Sequence, residues 1–410
     1  MRLSIVIMVC SIGTMIAAPS FSQQTKLDVS YNRETLGSVP ENLEKRSGWL
    51  TVLWVVPYVL ESEKNLIVEY ERGTVEYVYS KINEDIEDAL PHVRKINQTV
   101  KKYHWNKEAA YAFAGRFNLY YKQYKKAIDY FTIALGDNPG SSLRNWRADG
   151  ANAFNVDIAC NQYIAADQTT NYLLIPTETL WGRISGPYKL GVGMAMQSIT
   201  MSEIAPNATL PVGGGLLYSY NTYLAGAKVI LIKIKEYFEY FDKLGGIGWT
   251  HIVQPVFTAD IALLERAEAY ALSGDLDLAT ADLDTFVKAF TYYKAGNTTS
   301  KEVLIAYYEG LENYDPLAYF KPSPKKAINL QGLSDDQKNV LHGILHAKRM
   351  LTVHEGHRWF DIRRYDIEIY RRIIEDGNIV LTDRLPVGDK RRTFQIPQQM
   401  VAAGIEANPR

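Results

Sequence analysis

The sequence has little cysteine, no block of one charge and no hydrophobic run long enough to cross a bilayer. Only Cys10 and Cys160 occur in 410 residues. Loss of the first residues would leave one thiol and no internal disulfide, so stability must come from packing. Lys and Arg total 45 against 46 Asp and Glu, a net charge of -1. Without a basic stripe there is no electrostatic footprint for a phosphate backbone or an anionic lipid surface, and nucleic acid is disfavoured as a partner. No stretch reaches the roughly 20 uninterrupted apolar residues of a spanning helix. Signatures of catalysis are missing too. There is no Gly-x-Ser-x-Gly elbow and no Cys/His pairing. Gly213-Gly214-Gly215 and Gly245-Gly246-Ile247-Gly248 lack the Lys-Ser/Thr ending of a phosphate loop and read as turns. Paired carboxylates for glycoside cleavage depend on a separation in space, and nothing in the sequence points to them. The expectation is a protein without enzymatic activity, cofactor or metal.

Aromatic residues are plentiful, with 28 Tyr beside 13 Phe and 7 Trp. Tyr and Trp offer a flat apolar face with a polar tip, which suits both cores and binding surfaces. At the N-terminus, Met1-Arg2 precedes an apolar run from Leu3 to Ala18 and then Ser20-Phe21-Ser22-Gln23. A charged start, an apolar middle and a small-residue exit mark residues 1–22 as an export signal, with the body starting at Gln23. Cys10 is a poor match to a lipid-acceptor site, because Ile7-Met8-Val9 stands where such sites carry Leu and small residues.

Two stretches repeat one pattern. From Glu108 to Pro139, Gly115, Ala127, Phe131, Ala134 and Pro139 stand at the offsets of a tetratricopeptide unit of roughly 34 residues. Small residues let two antiparallel helices approach, Phe131 fills the gap, and Pro139 ends the second helix. From Asp260 to about Ala289, Leu263, Ala267, Tyr270, Gly274, Ala279 and Leu283 fall at matching offsets. Apolar residues at helical spacing over Val75–Leu90 and Leu216–Phe241 extend the units to about 75–139 and 216–289. The fold expected is mostly α, built on tetratricopeptide-like helical repeats. Between the units, Gly140–Gly215 mixes Gly, Pro, Asn and Thr with Trp146, Tyr163, Tyr172, Trp181 and Tyr188, and reads as long ordered loops. A second loop-rich stretch follows Tyr314, broken by Pro316, Pro322 and Pro324.

Near the C-terminus, His346 to Arg364 reads HAKRMLTVHEGHRWFDIRR. Its core, Glu355-Gly356-His357-Arg358-Trp359-Phe360-Asp361-Ile362-Arg363-Arg364, resembles the C-terminal signature of the SusD/RagB family. Leu263–Asp284 resembles the family's repeat segment, Val78–Leu90 its early helix and Arg392–Pro409 its closing segment, so the signature region covers 346–409. The chain departs from the pattern at Ala347 and Leu351, where the family usually carries acidic residues, and in a short region before Tyr70. The resemblance implies one SusD-like domain over 23–410, with helices supporting a loop-rich ligand face. It further implies a surface-exposed outer-membrane lipoprotein that captures oligosaccharides, or peptides in the RagB branch, and delivers them to a SusC/RagA-type TonB-dependent transporter. A tetratricopeptide scaffold for a protein partner is the reading of a different class.

Within the signature, Arg358, Arg363 and Arg364 are expected to bond Asp361, Glu355 and neighbouring carbonyls, with Trp359 and Phe360 packed inward and Gly356 in a turn. These residues would hold the fold together without touching ligand. His342, His346, His354 and His357 are four of seven histidines. His342 and His346 share one helical face, a spacing that suits zinc, yet no third ligand stands clear and the structural reading is preferred. For ligand, a sugar ring stacks its C–H face on Trp or Tyr while its hydroxyls bond polar side chains. Trp146, Tyr172, Trp181 and Tyr188, with Asn171 and Arg183 as polar partners and Trp249 as an outlying addition, are the expected ligand contacts.

Overall fold

The structure is a computed structural model. It describes residues 74–93, 100–151, 155–185, 196–197, 223–225, 228–230, 233–291, 298–318, 323–353, 355–402 and 407–408. The export signal with Cys10, the region before Tyr70, Tyr188, His354 and Gly213–Gly215 lie outside them. In chain order the main helices are α1 (Val75–Ala89), α2 (Lys107–Tyr120), α3 (Tyr124–Leu135), α4 (Val156–Tyr163), α5 (Ala259–Ser273), α6 (Leu276–Phe290), α7 (Lys301–Glu309), α8 (Asp335–Leu351) and α9 (Arg358–Arg364). The main strands are β1 (Asn171–Glu178), β2 (Tyr237–Asp242), β3 (Ile247–Thr258), β4 (Ile369–Glu375) and β5 (Asn378–Leu385). The architecture is mostly helical, as expected.

Both repeat units form the helix pairs their residues require. In α2 and α3, a Cβ built on Gly115 would stand 2.7 Å from the Phe131 ring, so only glycine lets Phe131 fill the gap. In α5 and α6, Gly274 closes the first helix at φ +95°, a left-handed cap that glycine adopts without strain. Side chains cap the helix starts: Asn106 accepts from Ala109 N in α2 and Thr258 from Ile261 N in α5. Ser334 and Gln337 form a reciprocal capping box on α8.

Helix α5 sits at the centre, packed on α2, α3, α6 and α8, and is buried on nearly every side. That burial encloses Asp260, Glu265, Arg266 and Glu268, and each is paired. Arg116 Nε donates to both Glu265 oxygens at 2.8 and 3.0 Å. Lys348 Nζ bridges Glu268 at 2.7 Å and Asp361 at 2.9 Å. Arg364 donates to the same two carboxylates at 2.6 and 2.7 Å, and the Tyr365 hydroxyl donates to Glu268 at 2.6 Å. Charges removed from water in this way are tolerable only when paired and hydrogen-bonded, so the cluster fixes how α5, α8 and α9 meet.

Two expectations fail. Where described, Leu216–Phe241 is strand and not helix: Lys228–Ile230 pairs with both Tyr223–Ala225 and Met196–Gln197 in one small sheet, and β2 begins at Tyr237. Tyr237-Phe238-Glu239-Tyr240-Phe241 fits an alternating strand as well as a helix, and pairing with β3 decides the matter. Nor is the stretch after Gly140 purely loop. It forms short helices at Pro139–Ser142, Trp146–Ala151 and Trp181–Ser185, together with α4 and β1. Strands β1, β3 and β2 make an antiparallel sheet in that order, and β4 and β5 form a separate hairpin. No helix among the described residues is long and apolar enough to cross a membrane.

Removing one partner from a buried ion network strands the others. Lys348→Met is expected to destabilise the protein by about 3–5 kcal/mol, measured by urea unfolding; a loss below about 1 kcal/mol would contradict the network's role. Burial pushes the Asp361 and Glu268 carboxyls upward, but the Lys348 and Arg364 charges outweigh it and hold both below the usual carboxylate range. Their contribution is present at neutral pH and lost as acid carries the pH down through those lowered values. Glu265, pushed up by burial despite Arg116, opposes part of that loss. Burial, with Lys325 and Arg358, lowers His342 from 6.5 to about 4, so the unfolded chain takes up a proton first. The melting midpoint should therefore fall progressively between those two values and further below them; a flat profile in calorimetry would refute this.

Candidate functional site

Three of the expected ligand contacts belong to the core. Trp146 is 1% exposed, and its Nε1 donates to Asp260 Oδ1 at 2.8 Å while Thr170 donates to the other oxygen. Asn171 accepts from Arg144 at 2.9 Å and donates to the carbonyls of Tyr163 and Ala165. Tyr172 is buried, and its hydroxyl donates to the Ala134 carbonyl at 3.1 Å. Trp146 ties this segment to α5, Tyr172 ties β1 to α3, Asn171 closes the 144–171 segment on itself, and none of the three faces solvent. This corrects their assignment to a ligand face: aromatics in a stretch rich in turn residues were packing against the helices it covers.

Of the remaining described contacts, Trp249 lies on the outer half of a β-hairpin, whereas Trp181 and Arg183 belong to a short helix at its base. Strands β2 and β3 form a hairpin whose outer half is exposed on both faces. Register pairs Tyr237 with His251 and Glu239 with Trp249. Alternation therefore puts Tyr237, Glu239, Trp249 and His251 on one face, and Phe238, Tyr240 and Thr250 on the other, while Phe241 falls at an irregularity of the ladder between Tyr240 and Asp242. Ring contacts follow the same division. Phe241 and Trp249 are 5.6 Å apart between centroids, Tyr237 and His251 are 5.8 Å apart, and Phe238 and Tyr240 are 4.7 Å apart on the opposite side. Trp249 is 55% and Phe241 61% exposed. Asp242 Oδ1 accepts from Leu244 N and Gly245 N, and Gly246 at φ +67° completes the turn.

The short helix Trp181–Ser185 packs on the base of this hairpin. A Cβ on Gly182 would lie 2.7 Å from Ile252 and 2.8 Å from the Glu236 backbone, so the approach needs glycine. Arg183 forms a bidentate pair with Glu236, with contacts of 2.6 to 3.1 Å, and its guanidinium lies 5.8 Å from the Phe238 ring. Trp181 is half-buried against the core. Sequence reasoning missed Tyr237, Phe238, Tyr240, Phe241 and His251. The signal was present: an alternating aromatic run, a Lys-Leu-Gly-Gly turn and a second run starting at Ile247 form a hairpin pattern.

The signature residues lie apart from this arm. Asp361 and Arg364 are buried in the ion cluster. Glu355 accepts from Lys233 at 2.8 Å and from the Tyr163 hydroxyl at 2.6 Å, clasping the 233–236 segment; Lys233 also donates to the Leu351 carbonyl. Gly356 turns at φ +82°. Arg358 is an ion-pair partner of Asp361 at 3.9 Å, longer than the expected hydrogen bond. Half-buried Trp359 lies tilted against Phe394 of the closing segment, and Phe360 stacks on Tyr120 of α2. His342 stacks on Tyr308 at 5.3 Å. Among the described residues, no three His, Cys, Asp or Glu side chains come together as a metal site would require.

Comparison with known proteins agrees with this architecture. A SusD-like family model, described as starch-binding and associating with the outer membrane, matches residues 49–119. No curated protein matches. A SusD superfamily protein from Bacteroides thetaiotaomicron is similar at 18% identity and a TM-score of 0.54, over 90% of this chain and 72% of that one. A putative sugar-binding protein from Bacteroides vulgatus is similar at 16% identity and a TM-score of 0.50, over 88% and 73% of the two chains. A SusD-like protein from Bacteroides fragilis, at 14% identity and a TM-score of 0.50, covers 89% and 76%. The fold is the SusD-like fold.

The hairpin's register depends on Gly248, where a Cβ would stand 2.2 Å from the Glu239 carbonyl oxygen and 2.8 Å from the Phe238 ring. Gly248→Val is expected to disorder the outer hairpin while the helical core stays folded. Loss of amide protection confined to 237–251 in hydrogen exchange would confirm it; unchanged protection there would refute it.

Proposed function

We propose that this protein is a non-catalytic cell-surface binder that captures oligosaccharides and passes them to a SusC/RagA-type TonB-dependent outer-membrane transporter. The observation that carries this reading is the exposed Phe241–Trp249 platform on a projecting hairpin. Two adjacent rings open to solvent match the apolar face of a sugar, and Glu239, opposite Trp249 on the same face, supplies an acceptor for ring hydroxyls. The sugar-binding and starch-binding descriptions attached to similar proteins support the same substrate class. On this reading the protein sits at the outer membrane as an exported lipoprotein, residues 23–410 act as one domain, and no cofactor or metal is needed.

Peptide capture, as in the RagB branch, is the second reading. Among the described residues no strand pairs with the outer edge of β2, which favours it, because an edge strand can accept an extended chain. Calorimetric titration of the exported chain against oligosaccharide pools and short peptides, with a check for cleaved product, separates the two. Saturable glycan binding without turnover is expected. Trp249→Ala should weaken it by about 1–3 kcal/mol, the range for losing a stacked aromatic anchor, and leave the melting midpoint unchanged. Undiminished glycan affinity in that variant would remove the platform from the account, and product release would overturn the binding role altogether.

A further inference from the structure

The face of the sheet that carries Trp249 also carries two carboxylates. Register places Glu178 of β1 opposite His251 of β3, and His251 opposite Tyr237 of β2, so these three stand abreast in one row. The next row toward the tip holds Trp249 with Glu239 opposite. Residues paired across such a row have Cβ atoms about 5 Å apart, and diagonal neighbours about 7–8 Å. Because β3 lies between β1 and β2, Glu239 stands beside Trp249 on one side and Glu178 diagonally on the other. Both glutamates are exposed, as is the Trp249 ring.

Positive charge at the base of the hairpin is already neutralised. Lys235, whose Nζ lies 4.8 Å from the Tyr237 ring centroid, is held by Asp157 of α4 at 2.5 Å. Arg183 is paired with Glu236 and lies beside Phe238, on the opposite face. Lys243 sits in the tip turn next to Asp242. Among the described residues, neither Glu178 nor Glu239 is joined to a cation.

We propose that Glu178 and Glu239 set the class of glycan this face takes: neutral oligosaccharides are accepted, and chains bearing uronate or sulfate groups are rejected. This rests on the reading of Phe241–Trp249 as the ligand platform and adds the selection made there. Stacking alone cannot make that choice, because a uronic acid and a neutral hexose offer an indole the same C–H face. Charge can. A ring seated over Trp249 lies between the two carboxylates, which accept hydrogen bonds from neutral hydroxyls and repel a carboxylate carried at C6. In water, like unit charges about 5 Å and about 7–8 Å away together lower affinity by about tenfold. Recognition of an acidic sugar would instead call for arginine or lysine in bidentate or charge-assisted contact, and the cations near this face are engaged elsewhere. If the two glutamates served only to keep an exposed sheet from pairing edge to edge, their removal would leave the ratio of neutral to acidic affinity where it was.

Titration calorimetry of the full exported chain tests this with maltohexaose, cellohexaose and mannohexaose, each beside the same chain oxidised at C6 to its uronic acid. Measurements are made at neutral pH in about 0.1 M and about 1 M sodium chloride, where the screening length is about 10 Å and about 3 Å. At the lower salt, the neutral member of a pair that binds should do so at least about tenfold more tightly than its oxidised partner, and at the higher salt the difference should shrink to about twofold. Glu178→Gln and Glu239→Gln should each narrow the preference at the lower salt, and the double variant should bring the two members within about twofold. An unchanged ratio in the double variant, or an oxidised chain that binds the parent as tightly as its neutral partner, overturns the role of the glutamates; if Trp249→Ala still weakens the neutral probe, the platform itself stands. Failure of every probe to bind, or binding that Trp249→Ala leaves unaltered, overturns the platform and this selection with it.

Discussion

Three cations and three carboxylates meet in the dry centre of the protein, and the arrangement of the helices depends on their mutual neutralisation. Glu265 and Glu268 lie on α5, Arg116 on α2, Lys348 on α8, and Asp361 and Arg364 on α9. None of these charges could be buried alone, because the desolvation cost of one ion exceeds what packing around it returns. Each helix therefore has to arrive in the position that completes its neighbour's pair. Apolar burial drives the collapse, and the ion cluster selects which collapsed arrangement persists.

That constraint reaches the candidate site through a short path. Strand β3 runs directly into α5 at Thr258, so the inner end of the hairpin is continuous with the helix the cluster holds. Arg116, bonded to Glu265, also lies 4.6 Å from the Phe257 ring centroid at the end of β3. On the other side, Glu355 of the signature clasps Lys233 just before β2. Both strands are thus anchored at their bases, while their outer halves carry exposed rings. A rigid base with an open aromatic tip can present a stacking surface at little entropic cost, which suits capture of a weakly held ligand.

The helical pairs were legible because their residues must obey close-packing: Gly115 opposite Phe131 and Gly274 at a left-handed cap leave few alternatives. That Asp361 and Arg364 stand close enough to pair was legible, because three residues apart is a helical spacing. Their main partners, Lys348 and Glu268, were not, since pairing across 80 residues leaves no mark in a local window. The first strand of the hairpin was read as helical as far as Phe241 because a run of aromatics fits both periods, and only its partner strand decides between them. Trp146, Asn171 and Tyr172 failed as ligand contacts for a related reason. Burial depends on tertiary neighbours such as Asp260 and Ala134, and composition cannot distinguish an aromatic that covers a helix from one that meets solvent.

The account's central claim is that one exposed aromatic hairpin on a charge-locked helical core takes the ligand. Hydrogen exchange of the full exported chain, with and without an oligosaccharide that binds saturably, tests this most directly. The account predicts new protection concentrated in 237–251, with the helices α2, α3, α5 and α6 unchanged. Protection appearing along those helices while the hairpin stays as it was would contradict it and favour a scaffold that holds its partner on the repeat surface.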